Sequence, residues 1–132
     1  MNKNIPFLLL LFACSAGAHP PVILKAEAQL KDNQLYDVAV TIRHGDTGWD
    51  HYAKEWIIIL DGEKQIAKRT LYHPHVNEQP FTRYSRDVLI PIDAERVTIK
   101  ATCNQGHESS EYVLLNRPKA TETKKEKQEA NQ

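Results

Sequence analysis

Histidines are the residues through which this chain is best equipped to do chemistry. Two of them, His44 and His51, stand with Asp46 and Asp50 in the polar segment HGDTGWDHYAKEW, residues 44–56. Neutral imidazole is the commonest metal ligand in proteins, and carboxylates either ligate the same ion or orient the imidazoles. This segment therefore indicates a site for a borderline transition-metal ion.

A second histidine-rich segment lies further along the chain. Residues 73–80 have the sequence HPHVNEQP, in which two prolines and an asparagine predict a loop. The loop offers His73, His75 and Glu78, which we interpret either as parts of a structural turn or as a supporting shell or second site. Single histidines are common in loops that bind nothing, so what matters is whether the surrounding elements bring them together.

Seven short apolar or alternating runs predict seven β-strands and almost no helix. Residues 22–30 and 36–42 alternate between apolar and polar types, and an Asp-Gly pair after the apolar run 56–60 is a strong hairpin signal. The remaining predicted strands are 64–72, 82–90, 97–103 and 111–115. Short strands separated by turns, with a tryptophan on the third, predict an all-β fold, a seven-stranded antiparallel immunoglobulin-like β-sandwich.

The alternation also predicts which side chains face the core. On the first strand these are Val22, Leu24, Ala26, Ala28 and Leu30, and on the sixth they are Val97, Ile99, Ala101 and Cys103. His44 extends the inward row of the second strand to its tip. Cys103 is therefore either a small core residue or a metal ligand.

Antiparallel strands place successive loops at alternate ends of a sandwich. One end then collects every histidine of the chain, namely His19, His44, His51, His73, His75 and His107. The loops expected at the other end, 31–34, 61–63 and 91–95, contain none. Several imidazoles converging with Asp46, Asp50, Glu78 and Cys103 would form a metal site.

The N-terminus has the pattern of an export signal. Residues 1–18 combine a positively charged start, an apolar run too short to span a bilayer and a small-residue ending, which predict a signal peptide cleaved after Ala18. The alternative is a lipoprotein anchored through Cys14. Cleavage after Ala18 would leave Cys103 without an intramolecular disulfide partner in a periplasmic protein.

Composition limits the remaining possibilities. Residues 19–116 are expected to form the domain, and residues 117–132, which are rich in charge and lack aromatic residues, a disordered tail. The 17 basic and 17 acidic residues balance, which argues against a nucleic-acid partner. No transmembrane segment is expected in the mature chain.

With these residues in place, the chain resembles the iron domain of the superoxide reductases, the desulfoferrodoxin and neelaredoxin family. The family begins with a His-x-Pro-Val-Ile segment, to which residues 19–23 are similar. Its loop ligands precede a strand containing Trp-Ile, as His44 and His51 precede residues 56–57 here. Its Cys-Asn-x-His pattern is similar to CNQGH at residues 103–107.

The resemblance implies an immunoglobulin-like sandwich that holds iron and reduces superoxide to peroxide. The implied ligands are His19, His44, His51, Cys103 and His107. Superoxide or another small ligand and an electron-donor protein would be the partners. The loop and the Cys-Asn segment are each one residue longer here, and Gly17-Ala18 replace a Glu-Lys pair that attracts superoxide and ligates oxidised iron in the family.

The chain also resembles a group of uncharacterised exported bacterial proteins. The shared stretches are GWDHYA and HPHxxEQPFTR, here residues 48–53 and 73–83. This resemblance carries no assigned activity.

Two further functions fit the same residues. A non-catalytic copper-binding protein would chelate copper through the amine and ring nitrogen of His19, provided that this residue is the mature N-terminus. A binding module without a metal would use loop side chains expected to be exposed, namely Trp49, Tyr52, Phe81 and Arg83. Ligand types alone do not choose between iron, copper and zinc.

Overall fold

The computed structural model describes residues 19–32 and 34–115, which form seven β-strands and no helix. The strands are β1 Val22–Asp32, β2 Leu35–Arg43, β3 Ala53–Leu60, β4 Lys64–Thr70, β5 Phe81–Leu89, β6 Arg96–Cys103 and β7 Glu108–Leu114. In this part of the chain no helix is long and apolar enough to cross a membrane. The predicted signal peptide, the lipoprotein cysteine and the predicted tail, residues 117–132, lie outside the described residues.

The strands form two antiparallel sheets. One has the order β1-β2-β5 and the other the order β4-β3-β6-β7. The predicted seven-stranded antiparallel β-sandwich is therefore confirmed. Because β4 pairs with β3, the edges formed by β4 and β5 belong to different sheets and adjoin along one side of the sandwich.

The inward rows of both sheets form one hydrophobic core. Its members include Tyr36, Val38, Val40 and Ile42 from β2, Trp56 and Ile58 from β3, and Val97, Ile99 and Ala101 from β6. Trp56 is fully buried, and its indole N–H donates to Ser85 Oγ on the opposite sheet at 3.2 Å. The tryptophan therefore contributes a large apolar area without losing its hydrogen bond.

The inward face predicted for β1 is wrong at three of its five positions. The residues of β1 that pack against the core are Ile23, Ala26 and Ala28, whereas Val22, Leu24 and Leu30 are exposed. The register with β2 shifts near Leu24 and again near Lys31. A bulge adds one residue to a strand and exchanges its two faces, which alternation along the sequence does not reveal.

Two long loops cross between the sheets at one end of the sandwich. Residues 44–52 join β2 to β3, and residues 71–80 join β4 to β5. The short turn 104–107 between β6 and β7 lies at the same end. At the opposite end Asp61 and Gly62 close the β3–β4 hairpin with φ of 52° and 77°, the positive values that an Asp-Gly pair tolerates.

Candidate metal centre

His44 is the first residue after β2 and is buried at the end of its inward row. Its Nδ1 lies 2.6 Å from Asp46 Oδ1, and its Nε2 lies 3.0 Å from the carbonyl oxygen of His19. Carboxylate and carbonyl oxygens only accept hydrogen bonds, so each ring nitrogen lies where a hydrogen on it can be donated, and the tautomer decides which one donates. A metal at Nε2 would replace the contact with the His19 carbonyl, while Asp46 would keep the ring oriented through Nδ1.

The side chain of Asp46 is fully buried and connects the two long loops. Besides the His44 ring, its carboxylate accepts the backbone N–H of Ala53 at 3.0 Å and that of His75 at 2.8 Å. Three donors offset the cost of burying one carboxylate. Asp46 therefore bonds a histidine ring and also holds the backbone at Ala53 and His75.

His44, His51 and Cys103 bring three side chains of metal-ligand type together. One potential ligand atom from each lies within 4.8 Å of the other two. The rings of His44 and His51 are nearly perpendicular, with 4.5 Å between their centroids. Cys103 is fully buried and forms no disulfide within the described residues. The side chains come from the 44–52 loop and from the end of β6.

The Nε2 atom of His51 has no partner for hydrogen bonding. It is buried, and no donor or acceptor among the described residues reaches it. An unsatisfied buried polar atom costs about 1–3 kcal/mol and calls for an explanation. A metal ion would supply the missing partner. The donor set also fits, because imidazole and thiolate favour iron, copper and zinc over magnesium and calcium.

The electrostatic surroundings of His51 favour its neutral form. Burial, followed by the neighbouring charges of His44 and His19, lowers the pKa of His51 below its ordinary value, although Asp46 acts in the opposite direction. A metal binds only neutral imidazole. The site therefore keeps His51 in the binding form without assistance from the metal.

The other two histidines implied as ligands lie beside the cluster. The exposed ring of His19 is centred 6.3 Å from the ring of His51. His107 is exposed in the β6–β7 turn, and its carbonyl accepts the Cys103 N–H at 2.9 Å. Its charge contributes to the lowered pKa of His51, so its side chain lies within electrostatic reach. A five-ligand site requires both exposed side chains to turn towards the cluster.

Asp50 and Glu78 do not reach this cluster. Asp50 is exposed, and its backbone carbonyl accepts hydrogen bonds from the side-chain amides of Asn104 and Gln105. Glu78 is exposed and pairs with Arg83 at 3.0 Å. Neither carboxylate contacts the cysteine or the histidines of the cluster.

His73 and His75 form a separate stack on Phe81. The ring of His75 lies 4.0 Å from that of Phe81 and 4.5 Å from that of His73, between centroids. His75 is buried, and its backbone is tied to the cluster through its N–H on Asp46 and through its carbonyl, which accepts from Gln79. Phe81 is only 3% exposed, so the expectation that it lies on the surface as a binding residue is wrong. Trp49, at 65%, is exposed as expected.

Two amides to which the sequence gave no role hold the loops in place. Gln79 Oε1 accepts the His44 N–H, and its Nε2 donates to the His75 carbonyl, both at 3.0 Å. Asn104 Oδ1 accepts the Tyr52 N–H at 3.0 Å, and its Nδ2 donates to two carbonyls of the same loop. In the sequence, only the position of Gln79 and Asn104 beside these loops indicates such a role, since side-chain amides next to loops often bond the backbone.

An open cleft of about 470 Å³ adjoins the buried His44. Its lining consists of His19, Pro20, Val22, Arg43, His44, Gly45 and Gln79. Arg43 gives the entrance a positive charge. The cleft therefore adjoins the side of the cluster at which His19 and His44 lie.

The fold and this site define an all-β sandwich with a candidate His/Cys metal site at one end. No protein-family model matches the chain, and no curated protein matches it. Two solved structures are similar to it, a hypothetical protein from Pyrococcus horikoshii OT3 with a TM-score of 0.47 and 16% identity, and a superoxide reductase in the oxidized state with 0.45 and 15%. Each match covers 74% of this chain and 88% of the other. Likenesses at this level say nothing about chemistry, which has to come from the residues of the site.

Proposed function

We propose that the chain is an exported metal-binding protein that reduces superoxide with ferrous iron held by His44, His51 and Cys103. His19 and His107 would complete the coordination. Iron bound there would supply the one electron that, with two protons, converts superoxide into hydrogen peroxide. An electron-donor protein would then restore the ferrous state.

The observation that supports this proposal most strongly is the orphaned Nε2 of His51 within the group of three. Two imidazoles and one thiol approach one another within 4.8 Å at a buried position. Asp46 already orients the ring of His44, and backbone hydrogen bonds with Thr47 and Gly48 hold the main chain of His51. A preformed donor set of this kind avoids much of the ordering cost of metal binding.

The protein's own residues have separate roles in this proposal. Asp46 fixes the His44 ring so that Nε2 faces away from the carboxylate. Asn104 fixes the loop that carries His51. Arg43 lines the cleft, where its charge attracts an anionic ligand.

The test compares the parent with a Cys103→Ser variant after anaerobic reconstitution with ferrous iron. In the oxidised parent we expect a visible thiolate-to-iron absorption that the variant lacks. A superoxide reductase yields one peroxide for each superoxide consumed, whereas dismutation yields one for two. An unchanged spectrum in the iron-loaded variant contradicts thiolate ligation, and a ratio of one to two contradicts reduction.

Copper is the second candidate, and one contact favours it. The carbonyl oxygen of His19 lies 3.0 Å from His44 Nε2, so the backbone of the expected mature N-terminus adjoins the cluster. Two imidazoles with a thiolate also form the donor set of blue-copper sites, although the only methionine of the chain is Met1. Intact mass of the exported protein tests cleavage after Ala18, and metal analysis of the protein purified without a His-tag identifies the metal, since copper outcompetes ferrous iron at most sites in vitro.

A further inference from the structure

A small cavity lies where the edges of the two sheets adjoin, outside the metal cluster. It has a volume of about 60 Å³, and its lining includes Arg69 from β4, Arg83 from β5, and His73 and His75 from the loop between these strands. One water occupies about 30 Å³ in the liquid. The cavity therefore has room for more than one water, or for one small polyatomic ion.

Strand register explains why two arginines meet at this cavity. Arg69 pairs with Trp56 across β3 and β4, and Arg83 pairs with Val40 across β2 and β5. Partners in an antiparallel pair project from the same face of the sheet, and both Trp56 and Val40 face the core. Both guanidinium side chains therefore start from the inner faces of their sheets at the open side of the sandwich.

Two residues that line this cavity each carry a buried nitrogen atom without a hydrogen-bond partner among the described residues. The atoms are Arg69 Nε and His75 Nδ1. His75 is only 4% exposed, and its ring is fixed by stacking on Phe81. Leaving such groups unpaired is costly, so the arrangement calls for a partner that fills the cavity.

The chemistry of the two unpaired atoms determines whether the ligand in the cavity is a cation or an anion. An arginine Nε–H only donates and always belongs to a cation. Arg69 Nη1 donates to the carbonyl of Tyr84 at 3.3 Å, and Arg69 forms no ion pair with the residues that the structure describes. Arg83 shares its charge with the exposed Glu78. A metal cation is disfavoured beside these guanidinium groups, whereas an anion is attracted.

We propose that this cavity between β4 and β5 binds an oxyanion of the size of phosphate or sulfate through Arg69, Arg83 and His75. Charge-assisted hydrogen bonds from guanidinium to oxyanions are among the strongest in proteins. In the tautomer with hydrogen at Nδ1, His75 donates a further bond to the same anion. The cavity admits the anionic group only, so any larger remainder of a ligand extends into solvent.

The electrostatic surroundings of His75 agree with this proposal. Burial, followed by the charges of His73 and Arg83, lowers the pKa of His75 below its ordinary value, although Glu78 and Asp46 act in the opposite direction. The same positive surroundings that oppose a proton on His75 favour an anion at the cavity.

The test uses the purified protein treated with a chelator, because phosphate would also ligate a bound metal. Thermal unfolding is followed while phosphate or sulfate is added, with sodium chloride at matched ionic strength as the reference. We expect Tm to rise with the logarithm of the concentration of either oxyanion, as for a ligand of the folded protein, and not to rise with chloride. Equal responses to the three salts, or a Tm that rises only linearly with concentration as in a general salt effect, would overturn the proposal.

Substitutions of Arg69 test whether phosphate binds at this cavity. Arg69→Gln removes the orphaned donor and its charge, and we expect it to weaken phosphate binding about tenfold or more. Arg86→Gln is the matched control, because Arg86 lies on the same strand as Arg83 but is exposed and bonds Asp37. It should bind phosphate as the parent does. Arg69→Lys retains the charge and serves if Arg69→Gln fails to fold, and it should lose affinity because it lacks the Nε–H.

A crystal structure grown in phosphate provides an independent readout. Density for a tetrahedral ion between Arg69 and Arg83 is the expected result. Water alone in the cavity at saturating phosphate, or an Arg69→Gln variant that binds as tightly as the parent, would overturn the proposal.

Discussion

Two corners at the same end of the sandwich contain buried histidines, and their surroundings differ. The metal corner consists of His44, His51 and Cys103, and the anion corner consists of His75 with Arg69 and Arg83. Both contain an imidazole nitrogen without a partner, at His51 Nε2 and His75 Nδ1. The neighbours of the first are another imidazole and a thiol, whereas those of the second include guanidinium groups. A buried histidine by itself therefore does not specify a metal, because the charge of its neighbours decides which ligand it suits.

Asp46 separates these two corners and supports both of them. One carboxylate oxygen bonds the ring of His44, and the other accepts the backbone N–H of His75. The bond to His44 involves the ring that would bind a metal, whereas the bond to His75 involves only its backbone. Loss of Asp46 should consequently damage the metal corner more than the anion corner.

The largest expected effect distinguishes the corners directly. His51→Ala removes one donor from the cluster, and we expect metal affinity to fall by more than about 100-fold, beyond the loss typical of an outer-shell partner. His73→Ala is the matched control from the other corner and should leave metal affinity unchanged. Competition with a chromophoric chelator measures both. Equal losses of metal affinity in the two variants would contradict the assignment of the metal to the corner that contains His51.

The next effect concerns the carboxylate between the corners. In Asp46→Asn we expect metal affinity to fall about 10–100-fold, because the His44 ring loses its anionic partner. The free energy of unfolding should fall by about 1–3 kcal/mol, since a neutral amide replaces an acceptor of three buried bonds. Chelator competition and denaturant unfolding measure the two losses. Asp50→Asn, in the same loop but exposed, should change neither quantity, and an equal loss there would contradict the role of Asp46.

Acid should destabilise the metal-free protein through both corners. The pKa values of His51 and His75 are lowered, chiefly by burial. As pH falls through the ordinary value of about 6.5, the unfolded chain therefore takes up protons before the folded protein does. Stability should be constant above that value, fall below it and level off once the folded histidines titrate. Denaturant unfolding across this range measures the slope.

The His75→Phe variant tests how much of this pH dependence of stability comes from the anion corner. His75→Phe removes one of the two groups, so its stability should depend less steeply on pH than that of the parent. Stability that stays constant or rises on acidification would show that these histidines are not held neutral by the fold.

The smallest effect concerns an exposed charge beside the anion corner. Glu78→Gln removes the partner of Arg83 and leaves its guanidinium free for the cavity. Phosphate affinity should rise by about twofold, and metal affinity should not change. Stability should change little, because exposed ion pairs contribute little. A loss of metal affinity, measured by the same chelator competition, would place Glu78 in the metal corner instead.

The sequence by itself determined the all-β class, the number of strands and the Asp-Gly hairpin. These features depend on period-two alternation and on local turn chemistry, which few residues encode. Histidine-bearing loops at one end follow from the antiparallel order of strands. The sequence did not predict which residues of β1 face the core. The bulges near Leu24 and Lys31 depend on pairing with β2 rather than on the composition of β1.

Only the tertiary structure decided which candidates meet. His44, His51 and Cys103 converge, whereas Asp50, Glu78 and His73 lie apart, although residue type and spacing made all of them candidates. Side-chain direction, loop path and burial arise from contacts between residues far apart in the chain. The same holds for Arg69 and Arg83, whose meeting depends on β4 pairing with β3, so that its edge adjoins that of β5. No local sequence pattern predicts that these two arginines meet, because their meeting depends on how one sheet packs against the other.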